Sequence, residues 1–136
     1  MATDTWSVDG FIKANLTPQS GTVYCEAIDT GLTAVGSTYS TALPLVSTIN
    51  VIATAASSTG VNLPAIVAAG AKIMVLNGGA NAVSVYPPVG GKVNGTTANT
   101  ADATAVAAVS SGVPGKGTWI QDGTLTNGVP NYLRIG

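Results

Sequence analysis

Short apolar segments separated by turn-forming residues recur along most of the chain and predict an all-β protein. Residues 22–28 alternate apolar and polar positions, as expected of a strand with one buried face. Residues 45–54 are rich in β-branched side chains and form the most hydrophobic of the predicted strands. The 17 glycines and 7 prolines, together with frequent Ser, Thr and Asn, supply turns at short intervals.

The clearest predicted element is a hairpin over residues 72–86. Ile73 and Val75 alternate with other residues before the loop, and Val83 and Val85 alternate after it. The loop begins Asn77-Gly-Gly, and because Asn and Gly accept positive φ, it is predicted to reverse the chain. Proline has no N–H to donate, so Pro87-Pro88 is predicted to end the pairing.

The C-terminal half contains further strand and turn signals. The pattern predicts a short strand and turn at 92–95, strands over 117–122 and 131–135, and turns at Asp122-Gly123 and Asn127-Gly128. Residues 101–109 are rich in alanine and follow Asn99 and Thr100, which are possible helix N-caps. A short helix and an alternating strand both remain open for this segment.

The length of 136 residues predicts one domain. Residues 1–20 are interpreted as an irregular N-terminal arm, with Trp6 and Phe11 as anchoring side chains. Residues 21–136 are predicted to form a single small β domain, either a sandwich or jelly roll or a barrel-like structure. No internal repeat of convincing period and no coiled-coil heptad is found.

Composition excludes most catalytic and metal chemistry. Five basic and six acidic residues make up 8% of the chain, against roughly 25% in an ordinary soluble domain. There is no histidine, so the commonest general base and the commonest metal ligand are both missing. The one cysteine, Cys25, lies in a strand-like segment and is interpreted as a small buried hydrophobe. We therefore expect no enzyme activity, no catalytic residue, no metal site and no cofactor.

Two features of the sequence resemble functional motifs but do not match them. The segment Gly112–Thr118 has the composition of a phosphate-binding loop, but position 110 is serine where the motif requires glycine, and a turn before Trp119 is the expected structure. The acidic residues occur singly and form no calcium-binding loop.

The charge distribution bears on partners. A net charge of −1 and a pI near 4.9 give no basic surface for nucleic acid. No charged residue occurs from Thr30 to Ala71, but Ser, Thr, Gly, Asn and Pro interrupt this stretch too often for a membrane span. A weakly charged, small-residue domain gains stability by burying surface against copies of itself or a larger particle, so an oligomer is expected. The first residues do not form a secretory signal, so synthesis in a cytosol is expected.

Residues 59–121 resemble a β-rich segment of virion structural proteins from tailed bacteriophages. The matching pieces are Val75, Asn77, Gly79-Ala80-Asn81, Val83, Val85-Tyr86-Pro87, Val93-Asn94-Gly95, Ala98-Asn99-Thr100-Ala101 and Trp119-Ile120. The resemblance implies a non-enzymatic protein located in the virion, in the first place a capsid decoration (cement) protein that forms a homotrimer and contacts the major capsid protein. The alternative is a tail or fibre component that recognises host surface glycans.

These expectations give a set of candidate interface residues. The N-terminal segment is expected to reach the capsid or a neighbouring copy, and the loop at Asn77–Asn81 and the segment after it are expected to shape the body. The candidates are Trp6, Phe11, Tyr39, Asn77, Asn81, Tyr86, Pro87 and Trp119.

Overall fold

The structure, a computed structural model, describes residues 27–136, and residues 1–26 lie outside that description. The described part contains eight strands and no helix. The strands are β1 (Ile28–Ala34), β2 (Leu43–Pro44), β3 (Ile49–Ala55), β4 (Thr59–Asn62), β5 (Lys72–Asn77), β6 (Val83–Tyr86), β7 (Gly115–Thr126) and β8 (Val129–Arg134). The predicted all-β class is thereby confirmed.

The strands form two sheets, and the first six alternate between them. The five-stranded sheet has the order β1-β3-β5-β7-β8, and the three-stranded sheet has the order β2-β4-β6. Neighbours among β1, β3 and β5 are parallel, as are neighbours among β2, β4 and β6. Each odd-numbered strand up to β5 is thus followed by a strand in the other sheet, which gives a short two-sheet coil of three stacked turns.

The register of the coil explains why no repeat is visible in the sequence. Ile28 pairs with Ile49 and Ile49 pairs with Met74, so successive turns advance by 21 and then 25 residues. In the three-stranded sheet, Leu43 pairs with Val61 and Val61 pairs with Val85, advances of 18 and 24 residues. Insertions of different length between the strands hide a structural repeat that the backbone pairing preserves.

The last two strands close one end of the coil. β7 runs antiparallel to β5, and β8 pairs antiparallel with β7. Asn127 and Gly128 connect them with φ values of 50° and 83°, the positive pair that a two-residue type I′ hairpin turn requires. The predicted turn at Asn127-Gly128 is confirmed. Asp122-Gly123 instead lies within β7, at the register shift between Gln121 and Leu125, so the turn predicted there is a bulge.

The predicted hairpin over residues 72–86 is wrong. β5 and β6 exist, but they belong to different sheets, and the loop between them carries the chain across the core. Alternation of apolar residues shows which face of a strand is buried, and both geometries bury Ile73 with Val75 and Val83 with Val85. The pattern therefore cannot distinguish two strands that pair as a hairpin from two strands that lie in facing sheets and are joined by an arc. Pro87 does follow the end of β6, as predicted.

Other predicted details differ from the structure. The two sheets are not closed into a barrel, and the sandwich or jelly-roll arrangement is not confirmed. The strand predicted at 45–54 begins at Ile49, and of the strand predicted at 22–28 only residues 27 and 28 fall within the described part. Residues 101–109 form neither the helix nor the strand considered for them, since their only strand-like contact is the bridge from Val106 to Val83.

The core lies between the sheets and is built mostly from branched aliphatic side chains. Its members include Ile52, Val61, Leu63, Ile73, Val75, Val83, Val85, Val93, Val106, Trp119 and Tyr132. The Tyr132 hydroxyl donates to the Pro64 carbonyl oxygen at 2.8 Å, which provides a partner for the phenol inside this apolar region. Residues 27–136 contain no helix long and apolar enough to cross a bilayer.

Candidate assembly surfaces

The side of the five-stranded sheet that faces away from the core is itself apolar. In β5 the side chains of Ile73 and Val75 point into the core, so Met74 and Leu76 occupy the opposite face. The register places further apolar residues beside them. This outer face comprises Ile28, Ile49, Val51, Met74, Leu76, Ile120, Leu133 and Ile135, with Lys72, Lys116 and Thr118.

One row of the outer face crosses the sheet from edge to edge. Ile28 pairs with Ile49, Ile49 with Met74 and Met74 with Thr118, whose carbonyl oxygen accepts a hydrogen bond from the N–H of Ile135 at 2.8 Å. The residues at the two ends are the most exposed, Ile28 at 59% and Ile135 at 54%. Four of the five side chains in this row are apolar, with Thr118 as the exception, and such a row on the solvent side of a sheet is typical of a surface that another element covers.

The charges on the outer face are few and of one sign. At the paired positions the only ionisable side chains are Lys72 and Lys116, which lie on different rows of adjacent strands. Asp29 is turned away from this face, and its carboxylate accepts a hydrogen bond from the Ser47 hydroxyl at 2.9 Å. Asp122, two residues after Ile120, lies at the bulge of β7, where its carboxylate accepts hydrogen bonds from the N–H and the hydroxyl of Thr124. The centre of the face therefore carries no charge that would have to be desolvated on contact.

A second apolar surface is a groove at the ends of the strands of the smaller sheet. The groove encloses about 450 Å³. It is lined by Pro44, Leu45, Asn62, Leu63, Pro64, Ala65, Val67, Pro88, Val89, Gly128, Val129 and Pro130, none of them charged. Val67 and Val89 are exposed at 67% and 59%, so the groove has an apolar rim as well as an apolar floor.

The loop at Asn77–Asn81 lies in the arc that carries the chain from β5 in one sheet to β6 in the other, and its side chains fix the position of that arc. The buried Asn77 amide donates to the carbonyl oxygens of Asn81 at 2.8 Å and Ala107 at 3.0 Å, and its Oδ1 accepts from the Gly79 N–H at 2.9 Å. Asn81 is exposed, but its amide donates to the Ala55 carbonyl oxygen at 2.9 Å. The Asn81 contact joins the arc to the preceding turn of the coil, and the Asn77 contact joins it to the segment at Ala107.

Tyr39 lies on the arc between β1 and β2, and Tyr86, at the end of β6, contacts the same arc. The Tyr86 hydroxyl donates to the Ser37 carbonyl oxygen at 2.7 Å, and its ring packs against Gly60. Tyr39 is 36% exposed, and its carbonyl oxygen accepts from the Asn62 amide at 2.7 Å. Tyr39 thus offers an accessible ring, whereas Tyr86 is half-buried. Pro87 is buried beside it.

Trp119 is a core residue with a complete set of partners. It is fully buried, and its indole N–H donates to the Asp102 carboxylate at 2.8 Å. The Arg134 guanidinium lies 5.0 Å from the centre of the ring and 3.7 Å from the same carboxylate. With no exposed surface in this chain, the Trp119 side chain serves the interior rather than a partner.

The glycine-rich segment before Trp119 has a packing role. A Cβ at Gly117 would lie 2.4 Å from the Trp119 ring, and one at Gly115 would lie 2.0 Å from the Ala107 carbonyl oxygen. These glycines therefore make room for the indole and for a neighbouring backbone. Close packing accounts for both glycines without a phosphate-binding role.

The remaining candidates lie outside the described residues, namely Trp6, Phe11 and Cys25. Within residues 27–136, no group of three or more metal-ligating side chains occurs.

Sequence reasoning did not identify the outer face. Its signal was available in the nearly unbroken apolar run Ile73–Leu76, which is typical of a strand with both faces buried.

Comparison with protein-family models, with curated proteins and with solved structures gives no match for this chain.

Proposed function

We propose that this chain is a non-enzymatic structural protein of a bacteriophage virion, and specifically a capsid decoration protein that stabilises the head by bridging subunits. The observation that carries the proposal is the apolar outer face of the five-stranded sheet. A domain with so few charges and an apolar face on the solvent side of its larger sheet is suited to being covered in an assembly. The phage resemblance of residues 59–121 supplies the kind of assembly.

The proposed mechanism is burial of apolar area across subunit boundaries. The uncharged groove at Leu63, Val67 and Val89 gives a second contact surface, separate from the sheet face. An N-terminal arm carrying Trp6 and Phe11 would reach the major capsid protein or a neighbouring copy. A contact of this kind needs about 1,000 Å² of buried surface in total to be specific.

Binding to phage heads tests the proposal. The major capsid protein whose gene lies nearest to the gene of this chain is assembled into heads that lack this chain. These heads are incubated with the purified full-length protein and sedimented. We expect saturable co-sedimentation in a fixed ratio to capsid subunits and disruption of the heads at a higher temperature. Val89→Asp and Trp6→Ala are expected to weaken binding at least about tenfold, with Thr97→Asp, another exposed position, as the matched control.

The alternative, glycan recognition by a tail or fibre protein, predicts a different result. Sugar binding commonly uses exposed aromatic rings, and among residues 27–136 Tyr39 is the one exposed aromatic side chain. Binding to a glycan array that Tyr39→Ala abolishes, together with no binding to heads, would contradict the decoration role and support the alternative.

A further inference from the structure

We propose that the outer face of the five-stranded sheet is where one copy of this chain packs against a second copy. The inference deepens the proposed function by naming the partner of that face, and it rests on the face itself rather than on any contact with a capsid. A solution oligomer held by this face is its direct consequence.

The composition of the face fits a second copy. In an interface with two-fold symmetry the same patch lies on both sides, so the patch must be complementary to itself. An apolar row such as Ile28, Ile49 and Met74 meets this condition because apolar groups need no opposite partner. A patch with a central charge would fail, since that charge would meet its own copy.

The position of the charges also fits. Lys72 pairs with Ile120 in one row and Lys116 pairs with Leu76 in another, on either side of the central row. Both lysines are exposed, and their long side chains can extend toward water while their methylene groups cover apolar surface. The two charges therefore border the contact without having to be buried in it.

The size of the face is that of a small interface. A sheet of five strands is about 24 Å wide at a spacing of roughly 4.8 Å. The outer positions from Lys72 to Leu76 extend it by about 13–17 Å along the strands. Two such faces bury about 600–800 Å² in projection, and the relief of their side chains adds to this area, so the contact lies at the lower end of the range for a weak association.

The backbone geometry allows face-to-face packing. Two sheets pack about 10 Å apart when the facing side chains interdigitate. The outer face carries medium-sized aliphatic side chains in three rows, with Ile120 and Leu133 in one row and Val51 and Leu76 in another. This is the kind of surface that forms the interior of a two-sheet protein, here divided between two chains.

Measurement of the molar mass of the full-length protein in solution tests the inference. Size-exclusion chromatography with light scattering, run over a range of concentrations, is expected to give a dimer or a higher oligomer. Leu133→Asp and Ile28→Asp, at opposite edges of the face, are each expected to raise the dissociation constant at least about tenfold. Val89→Asp places the same charge on an equally exposed valine of the groove, and it is expected to leave the oligomer unchanged.

Each outcome decides the inference. Circular dichroism and thermal unfolding show whether each variant is folded, and Ile28, at 59% exposure, is the position least needed for folding if Leu133→Asp does not fold. The proposal would be overturned by a monomeric wild-type protein. It would also be overturned by an oligomer that dissociates in the Val89→Asp variant but persists in Leu133→Asp and Ile28→Asp. Self-association without binding to heads supports this inference and contradicts the proposed function. Binding to heads by a protein that is monomeric at every concentration contradicts this inference and supports the proposed function.

Discussion

Individual polar side chains determine how this small core is held together. Asn77 is fully buried, and its amide group bonds to backbone atoms of two segments, its own loop at Gly79 and Asn81 and the segment at Ala107. Asp102 is also buried and joins the Trp119 indole to the Arg134 guanidinium. Because a buried polar group without a partner costs about 1–3 kcal/mol, such side chains specify one arrangement of neighbouring segments more strictly than aliphatic packing does.

Tyr132 is expected to lower the free energy of unfolding at alkaline pH. Burial raises its pKa from the usual 10.0 to about 12, although a backbone hydrogen bond at Ile66 partly opposes the shift. The folded state thus holds the phenol proton more tightly than the unfolded state does. The stabilisation is complete below about pH 10 and is lost as the pH rises toward about 12, with a total decrease of roughly 2–3 kcal/mol in the free energy of unfolding.

Urea unfolding at several pH values between about 9 and 12 checks this prediction. Tyr132→Phe is the control, because it removes the titrating group and keeps the ring. It is expected to cost about 1 kcal/mol at neutral pH through loss of the hydrogen bond to Pro64. The variant should then show a shallower alkaline decrease than the wild type. Identical slopes for the two proteins would show that Tyr132 is not the group responsible.

The arcs between the sheets are the elements that distinguish this fold from a set of hairpins. After β5, the chain passes so close to the end of β3 that a Cβ at Gly79 would lie 2.6 Å from the Ala55 nitrogen. The glycine is required by this close approach and not by a positive φ, which Gly79 does not have. The function of the second glycine in Asn-Gly-Gly is thus packing between consecutive turns of the coil.

A pair of substitutions in this arc separates close packing from chain flexibility. Gly79→Ala is expected to destabilise the protein by about 1–3 kcal/mol, since backbone atoms block the added methyl group. Gly78→Ala is the matched control, because its Cβ would meet only the Ile52 carbonyl oxygen at 3.4 Å. It should be neutral, or stabilising by up to about 1 kcal/mol. Equal losses in the two variants, measured by thermal or urea unfolding, would contradict the proposed close approach.

The molecule as a whole combines an ordinary core with an apolar outer face and very few charges. The described residues contain a single ion pair, between Arg134 and Asp102. Electrostatic attraction therefore contributes little to holding copies together, and burial of apolar area is the main favourable contribution available to the proposed interface. The two lysines on the face have the same sign, so they oppose association rather than favour it.

This balance predicts how the oligomer responds to salt. Between about 0.05 and 1 M NaCl the dissociation constant is expected to stay level or to fall, because salt screens the repulsion among Lys72, Lys116 and their counterparts. Sedimentation equilibrium at several salt concentrations measures this dependence. A dissociation constant that rises by more than about tenfold would show that attraction between opposite charges, which salt weakens, holds the copies together.

The sequence by itself determined the class of the fold, several strands and one turn. Alternating apolar residues identified the buried face of β6, and Asn127-Gly128 identified a hairpin, because these signals depend on residues that are close together in the chain. The role expected of the loop at Asn77–Asn81 stays a prediction. The resemblance, the virion role and the arm with Trp6 and Phe11 remain predictions.

Only the tertiary structure decided which strands are neighbours. Periodicity along one strand carries no information on its partner, so it could not show that β5 pairs with β3 and β7 while β6 joins β4 in the other sheet. The same pairing brings Ile28, Met74 and Ile135 into one row, although they are far apart in the sequence. The surface that carries the proposed function is therefore a product of strand register, which long-range packing fixes and local sequence does not encode.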